Sequence, residues 1–247
     1  MDEKALRKRI TRLEAKIALL HEQVNRGMSS NISGLIPELS PIEVYDNNRP
    51  VTLMVFAGLQ TQPGMPRAEF MKSVNSLDCN LCFIKDFSQI WYQEGLLGLS
   101  VSIDTTVHTL KGVLPQSTQK IVTMGASSGG YAAILFAELL RAEASIAFSP
   151  QIRIDADVFK FFKPRDPRVG RVGKFDYPFL DDFLIESNVS KHNIYVGEGN
   201  IFDRRQSDFM KKNSRVNINL IDTDQHNLAG YLKVLGKLTP IIGKHIS

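Results

Sequence analysis

The chain has few cysteines, one tryptophan, no long apolar run and no large excess of charge of one sign. Two of its 247 residues are cysteine, and 30 basic residues stand against 26 acidic ones, a net charge of +4. No apolar run approaches the ~20 residues that cross a bilayer, and the charged start has no apolar signal-peptide core. We therefore expect a cytoplasmic protein. The mild positive charge favours anionic partners and is too weak to indicate nucleic-acid binding.

The two cysteines, Cys79 and Cys82, have a Cys-x-x-Cys spacing that also occurs in redox and zinc sites. A redox pair would lie at the start of a helix, and a zinc site would need two further ligands that the sequence does not offer. Both cysteines instead fall at a predicted strand, whose alternation would place the two thiols on opposite faces of the sheet. We predict two buried core thiols, no metal site and no bound cofactor.

Residues 1–27 have the apolar spacing of a coiled-coil helix. The apolar residues, spaced four and three apart, are Leu6, Ile10, Leu13, Ile17, Leu20 and Val24. β-branched residues at the a positions with leucine at d favour a parallel two-stranded coiled coil, so we predict a homodimer through this helix. The alternative is one amphipathic helix packed on its own domain. A linker is predicted over residues 28–41.

Residues 42–247 alternate between strand and helix patterns, which is typical of an α/β domain with a mostly parallel sheet and helices on both faces. The predicted strands are Ile42–Tyr45, Val51–Phe56, Asn80–Ile84, Ile121–Met124, Ser145–Phe148, Asn193–Val196 and Val216–Ile221. A segment at about 151–186, rich in aromatic and basic residues, interrupts the alternation. We predict that it forms a cap over the carboxyl edge of the sheet.

The basic residues of this insertion are candidates for contact with an anionic substrate. They are Arg165, Arg168, Arg171 and Lys174. Any one of them could equally lie in a solvated basic loop.

A Gly-x-Ser-x-Gly sequence, from Gly125 to Gly129, joins the predicted strand Ile121–Met124 to an Ala- and Leu-rich helical pattern. A strand, sharp turn and helix of this kind expose the serine hydroxyl, and glycines two residues before and after the serine leave room for the turn. The candidate nucleophile is Ser127. The motif alone leaves open a Gly- and Ser-rich turn of an unrelated α/β protein that binds phosphate.

A serine nucleophile needs a base that takes its proton and a carboxylate that orients the base. Among five histidines, His226 follows the last predicted strand in a polar loop, so it would emerge at the same sheet edge as Ser127. The acid would come from the loop after the preceding strand. There we favour Asp203 and keep Glu198 and Asp208 as alternatives. The order serine, acid, histidine is that of α/β-hydrolases.

Two backbone amides would stabilise the oxyanion of an acyl-transfer intermediate. One is the amide of Ser128, directly after the nucleophile. The second would come from the loop that leaves the strand Val51–Phe56, where Gly58 and Leu59 are the candidates.

Several short motifs resemble those of one enzyme family. They are Phe56-Ala57-Gly58, Trp91-Tyr92-Gln93-Glu94-Gly95, Gly125 to Gly130 with Tyr131-Ala132-Ala133, and Phe148-Ser149-Pro150. With the length and the N-terminal heptads, they resemble bacterial capsular polysaccharide O-acetyltransferases of the meningococcal serogroup A type, which have an α/β-hydrolase fold. The resemblance also makes Trp91 and Tyr92 candidates for substrate contact.

The resemblance implies that acetyl-CoA is a co-substrate and that the acetyl group passes through Ser127. It implies an acceptor with N-acetylmannosamine hydroxyls in an anionic, phosphodiester-linked capsular polysaccharide, and a membrane-associated capsule assembly complex as a further partner. Two alternatives stay open. One is a carboxylesterase or deacetylase, which needs the same three side chains and no CoA; the other is a catalytically silent dimeric scaffold for glycan assembly.

Overall fold

The computed structural model describes residues 40–59, 62–154, 175–186 and 190–246. The predicted coiled coil of residues 1–27 and almost all of the predicted linker of residues 28–41 lie outside the described residues. The same holds for the four basic candidates of the insertion, which are Arg165, Arg168, Arg171 and Lys174.

Within the described residues, seven strands form one sheet. They are β1 (Ile42–Tyr45), β2 (Val51–Phe56), β3 (Asn80–Ile84), β4 (Lys120–Ala126), β5 (Ala144–Phe148), β6 (Lys191–Gly197) and β7 (Val216–Ile221). Their order is β1-β3-β2-β4-β5-β6-β7. β1 is antiparallel to β3, and all other neighbours are parallel. The seven predicted strands are confirmed, and β4, β5 and β6 extend one to three residues beyond the predicted bounds.

Seven helices occupy the same part of the chain. They are α1 (Arg67–Val74), α2 (Ile103–Gly112), α3 (Ser128–Leu140), α4 (Leu180–Glu186), α5 (Ile201–Asp208), α6 (Leu228–Val234) and α7 (Leu238–Ile246). Helix α3 follows the Gly-x-Ser-x-Gly turn and is buried along nearly its whole length. In the described residues, no helix is both long and apolar enough to cross a membrane.

Each face of the sheet carries its own apolar cluster, because alternate residues of the buried strands point to opposite faces. Residues of α2, α3 and α4 join one cluster, and residues of α1, α6 and α7 join the other. Cys82 belongs to the first cluster and Cys79 to the second, so the predicted buried thiols on opposite faces are confirmed. Burial raises the pKa of the Cys79 thiol to about 11 and that of Cys82 to about 12.

The two ends of the insertion lie side by side after β5. Arg153 and Phe179 form an antiparallel bridge, the Ile154 amide donates to the Pro178 carbonyl at 2.9 Å, and the Leu180 amide donates to the Ile152 carbonyl at 3.0 Å. An ion pair between Arg153 and Asp181 of α4 supports this pairing, with 2.5 Å between nitrogen and oxygen. The insertion therefore enters and leaves the fold at one place.

Candidate active site

The turn between β4 and α3 holds Ser127 in a strained backbone conformation, with φ of 56° and ψ of −118°. A Cβ atom at Gly125 would lie 2.0 Å from the Gly129 carbonyl oxygen, and one at Gly129 would lie 2.2 Å from the Phe56 carbonyl oxygen. Real Cβ atoms do not approach other atoms this closely. Both positions therefore require glycine, which is the physical reason for the spacing seen in the sequence.

The serine turn, the loop after β7 and the first turn of α5 bring Ser127, His226 and Asp203 together. The Nε2 atom of His226 lies 3.1 Å from the Ser127 Oγ. Its Nδ1 atom lies 2.8 Å from one carboxylate oxygen of Asp203 and 3.0 Å from the other. A proton on Nδ1, donated to the carboxylate, leaves the lone pair of Nε2 facing the serine hydroxyl. This arrangement can remove the hydroxyl proton and return it, as nucleophilic acyl transfer requires.

The surroundings of these side chains fit such chemistry. The Asp203 side chain is 8% exposed and the His226 side chain 50% exposed, so the carboxylate is shielded while the imidazole faces the cleft. Asn200 caps helix α5 by accepting from the Asp203 amide at 3.0 Å. The Asn200 side chain also donates to the Asp224 carbonyl at 3.0 Å, which ties the loop of the acid to the loop of the histidine.

The other two carboxylates considered from the sequence lie elsewhere. Glu198 is exposed. Asp208, at the end of α5, pairs with Lys211 at 2.7 Å. In the described structure, Asp203 is the one of the three that contacts His226.

The candidate oxyanion amides lie on two elements that pack together. Ser128 is the first residue of α3, and an amide at this position has no acceptor within its own helix. The Gly58 amide donates to the Gln62 carbonyl at 2.9 Å, whereas the Leu59 amide has no acceptor among the described residues. A Cβ atom at Gly58 would lie 3.1 Å from the Ala126 carbonyl oxygen, so this loop passes close to the serine turn. Of the two candidates, Leu59 is the better placed to donate to a ligand.

A cleft of about 880 Å³ opens beside the serine and histidine. Its lining residues are Gly58, Leu59, Gln62, Gly64, Met65, Pro66, Glu69, Ala126, Ser127, Gln225, His226, Asn227, Gly230, Tyr231, Lys233 and Val234. One wall comes from the loop after β2 and the start of α1, and the other comes from α6. Sequence reasoning placed Gly58 and Leu59 of the first wall at the site, but it did not name the lining residues of α1 and α6.

An ion pair joins the two walls of the cleft. The Lys233 ammonium of α6 contacts the Glu69 carboxylate of α1. The hydrogen bond from Lys233 and its positive charge lower the pKa of Glu69. The pair contributes one charge of each sign, so it gives the cleft no strong preference for anions or cations.

Trp91 and Tyr92, expected from the sequence to contact substrate, lie in the core and are not among the described residues that line the cleft. Their side chains are 0% and 1% exposed and belong to the core. The Tyr92 hydroxyl lies within hydrogen-bond distance of the Ala57 and Ile84 carbonyls, and the Trp91 indole donates to the Gln151 side chain. Both residues have left-handed backbone conformations, with φ of 56° and 62°. Among the described residues, no group of three His, Cys, Asp or Glu side chains could hold a metal ion.

No protein-family model and no curated protein matches the chain. Solved structures match it over most of its length. The capsule O-acetyltransferase of Neisseria meningitidis serogroup A, with caged gadolinium, is 19% identical at a TM-score of 0.58, over 86% of this chain and 97% of that chain. A histidine mutant of that enzyme, in complex with CoA, aligns at 15% identity and a TM-score of 0.55, over 86% of this chain and 97% of that chain.

An esterase has a comparable likeness. Est1E from Butyrivibrio proteoclasticus is 14% identical at a TM-score of 0.56, over 82% of this chain and 90% of that chain. At these identities the likeness lies in the fold, which is that of the α/β-hydrolases. A shared fold does not by itself imply a shared function, so these structures show the fold of this chain alone.

Proposed function

We propose that the chain is a serine-dependent O-acetyltransferase that moves an acetyl group from acetyl-CoA to hydroxyls of an anionic capsular polysaccharide. The observation that carries the proposal is the line of contacts from Ser127 through His226 to Asp203. The coverage of 97% of the meningococcal capsule O-acetyltransferase supports the choice of reaction, and the CoA-bound structure of its mutant supports the choice of donor. The acceptor proposed from the family resemblance is a phosphodiester-linked polymer of N-acetylmannosamine.

In the first half of the reaction, His226 Nε2 takes the proton of the Ser127 hydroxyl while Oγ attacks the thioester carbonyl carbon. The amides of Ser128 and Leu59 stabilise the oxyanion. The carbon–sulfur bond then breaks, the sulfur takes the proton from His226, and CoA leaves as the thiol. An acetyl ester remains on Ser127.

In the second half, a sugar hydroxyl gives its proton to His226 and attacks the acetyl ester. Collapse of the intermediate returns the proton to Ser127 and releases the acetylated sugar. Water competes in this step, so the acceptor must be held against the acetyl group while water is kept away. The insertion at 151–186 is the proposed cap for this purpose, and Arg165, Arg168, Arg171 and Lys174 are its proposed contacts with anionic groups of donor or acceptor.

An esterase is the second candidate, because the cleft beside a half-exposed His226 is open to water and Est1E aligns at a comparable TM-score. The two functions differ in the second nucleophile. We also retain two proposals on assembly, a homodimer through residues 1–27 and a place in a membrane-associated capsule assembly complex.

The deciding experiment measures thiol release from acetyl-CoA with and without capsule-type phosphodiester oligosaccharide, followed by the mass of the oligosaccharide. Acceptor-dependent release with added acetyl groups supports the transferase. Cleavage of an aryl acetate without thiol release from acetyl-CoA would move the chain to the esterases. Ser127→Ala should abolish either activity while the circular dichroism spectrum stays unchanged, and activity that survives would refute the assignment of the nucleophile.

A further inference from the structure

The peptide unit between Ala57 and Gly58 is held at both of its polar ends. Its carbonyl, on Ala57, lies 2.9 Å from the Tyr92 hydroxyl, and its amide, on Gly58, donates to the Gln62 carbonyl at 2.9 Å. A peptide unit is planar, so these two contacts together fix its orientation. The next amide along the chain is that of Leu59, and its direction depends on this plane and on the torsions of a glycine, the residue with the greatest backbone freedom.

The same peptide lies against the serine turn. A Cβ atom on Gly129, in the first turn of α3, would lie 2.9 Å from the Ala57 carbonyl carbon. Movement of Ala57 would therefore change the distance between the Leu59 amide and the Ser127 hydroxyl. A shift of this kind at a reacting group costs more than a similar shift elsewhere, because acyl transfer depends on the placement of the oxyanion donors.

The loop that carries Tyr92 is built around a buried carboxylate. Asp86, 3% exposed, accepts hydrogen bonds from the amides of Gln89 at 3.0 Å, Ile90 at 2.7 Å and Tyr92 at 2.9 Å. These bonds close a tight loop in which Gln89, Trp91 and Tyr92 have positive φ angles of 54°, 56° and 62°. Such angles are unfavourable for residues other than glycine, so the loop keeps this form only while the Asp86 bonds hold it.

The Tyr92 hydroxyl contacts two backbone carbonyls at the carboxyl ends of β2 and β3. Its hydroxyl lies 2.9 Å from the Ala57 oxygen and 3.0 Å from the Ile84 oxygen, and the Ala57 amide also donates to Ile84 at 2.9 Å. Burial raises the pKa of Tyr92 well above its ordinary value, so the hydroxyl keeps its proton and acts as a donor. The Tyr92 hydroxyl therefore fixes the position of the residues from which the oxyanion loop begins.

We propose that Tyr92 is a positioning residue for acyl transfer, whose hydroxyl orients the Ala57–Gly58 peptide and thereby the Leu59 amide toward the oxyanion. The proposal rests on the proposed function, because it needs an acyl intermediate on Ser127. In this proposal, the Trp-Tyr-Gln-Glu-Gly motif supports the oxyanion loop from within the core and does not make the expected contact with substrate.

The test compares Tyr92→Phe with Ser190→Ala, using p-nitrophenyl acetate as the acyl donor. Each variant removes one buried hydroxyl next to a backbone carbonyl, since the Ser190 hydroxyl donates to Ala142 at 2.7 Å, and Ser190 precedes β6 outside the cleft. We expect Tyr92→Phe to lower kcat about tenfold with an unchanged KM, a fraction of the effect of losing an oxyanion donor outright. Ser190→Ala should keep the kcat of the unaltered chain.

A second readout separates positioning from general loosening of the fold. A phenyl trifluoromethyl ketone forms a serine adduct that carries an oxyanion, so its inhibition constant should rise about tenfold in Tyr92→Phe and stay constant in Ser190→Ala. Asp86→Asn keeps the tyrosine hydroxyl but weakens its loop. Like Tyr92→Phe, it should lower kcat and raise the inhibition constant. This variant also provides the test if Tyr92→Phe does not fold.

Unchanged kcat and inhibition in Tyr92→Phe, or equal losses in Tyr92→Phe and Ser190→Ala, would overturn the positioning role. The mass of the unaltered chain after reaction with p-nitrophenyl acetate tests separately the acyl intermediate on which the proposed function depends. An acetyl group on Ser127 supports the acyl intermediate whatever Tyr92 does. Its absence under rapid quenching would refute both the acyl intermediate and the positioning role.

Discussion

The Gly129→Ala variant tests the close approach between the serine turn and the strand before the oxyanion loop. The added methyl group would lie 2.2 Å from the Phe56 carbonyl oxygen and 2.9 Å from the Ala57 carbonyl carbon, both of them backbone atoms. Ordinary contact begins at 3.4 Å. The backbone of α3 or of residues 56–57 must therefore move by about 1 Å. A well-packed core does not accommodate such a displacement without a loss of stability.

The expected cost follows from this displacement. Overpacking of this kind lowers the free energy of unfolding by about 1–3 kcal/mol, which for a domain of this size lowers Tm by roughly 2–12 °C. Because the displaced atoms carry Ser128 and lead to Leu59, the oxyanion donors move as well. We expect kcat for an aryl acetate to fall by about 10²-fold, the loss expected for a 1 Å misplacement at a reacting group.

Gly112→Ala is the matched control. Gly112 is the last residue of α2, and nothing lies within 4 Å of a Cβ atom placed there. The same change should leave Tm and kcat nearly as they are, apart from the small gain in helix propensity. The measurements are thermal unfolding by circular dichroism and initial rates of ester cleavage. A Gly129→Ala protein with the Tm and kcat of Gly112→Ala would refute the packing argument.

Three further predictions concern the acid, the thiols and the N-terminal segment. Asp203→Asn should lower kcat by roughly 10⁴-fold with little change in KM, because an amide no longer holds the imidazole proton on Nδ1. Glu198→Gln is the control. Equal losses of kcat in the two variants would exclude Asp203 as the orienting acid. With pKa values of about 11 and about 12, Cys79 and Cys82 should stay unmodified by a disulfide reagent at pH 8 in the folded protein and react in urea, so rapid labelling without urea would contradict their burial. Deletion of residues 1–27 should halve the mass measured by light scattering, and an unchanged mass would show that this segment does not hold the dimer.

The strands and the serine turn were predictable because local chemistry determines them. Strands appear as short apolar runs between turn signals, and β1, β2, β3 and β7 have the bounds predicted from such runs. The turn was predictable because no residue larger than glycine fits at 125 or 129.

To choose between Asp203 and Asp208, one must know which side of α5 faces the histidine, and the sequence does not determine this. Asp203 and Asp208 both lie on α5, five residues apart, which places them about 140° apart around the axis at 3.6 residues per turn. Only the structure fixes which side of that helix faces His226. The first residue faces the histidine, and the second faces Lys211.

The reading of Trp91 and Tyr92 failed for a different reason. These two residues were candidates because of the motif resemblance alone, and their burial in the core depends on tertiary packing that the motif does not specify. The cleft walls on α1 and α6 were missed because their approach is a matter of tertiary packing, and the Glu69–Lys233 pair that joins them spans a long stretch of sequence.

The paired ends of the insertion make that segment separable from the rest of the fold. Ile154 bonds to Pro178 and Ile152 to Leu180, so the residues on either side of positions 155–174 are joined by backbone hydrogen bonds. Closing a loop of a different length costs little, because the entropy of closure grows only with the logarithm of length. In the proposed transferase, a change of these residues would therefore alter the acceptor and leave Ser127, His226 and Asp203 in place.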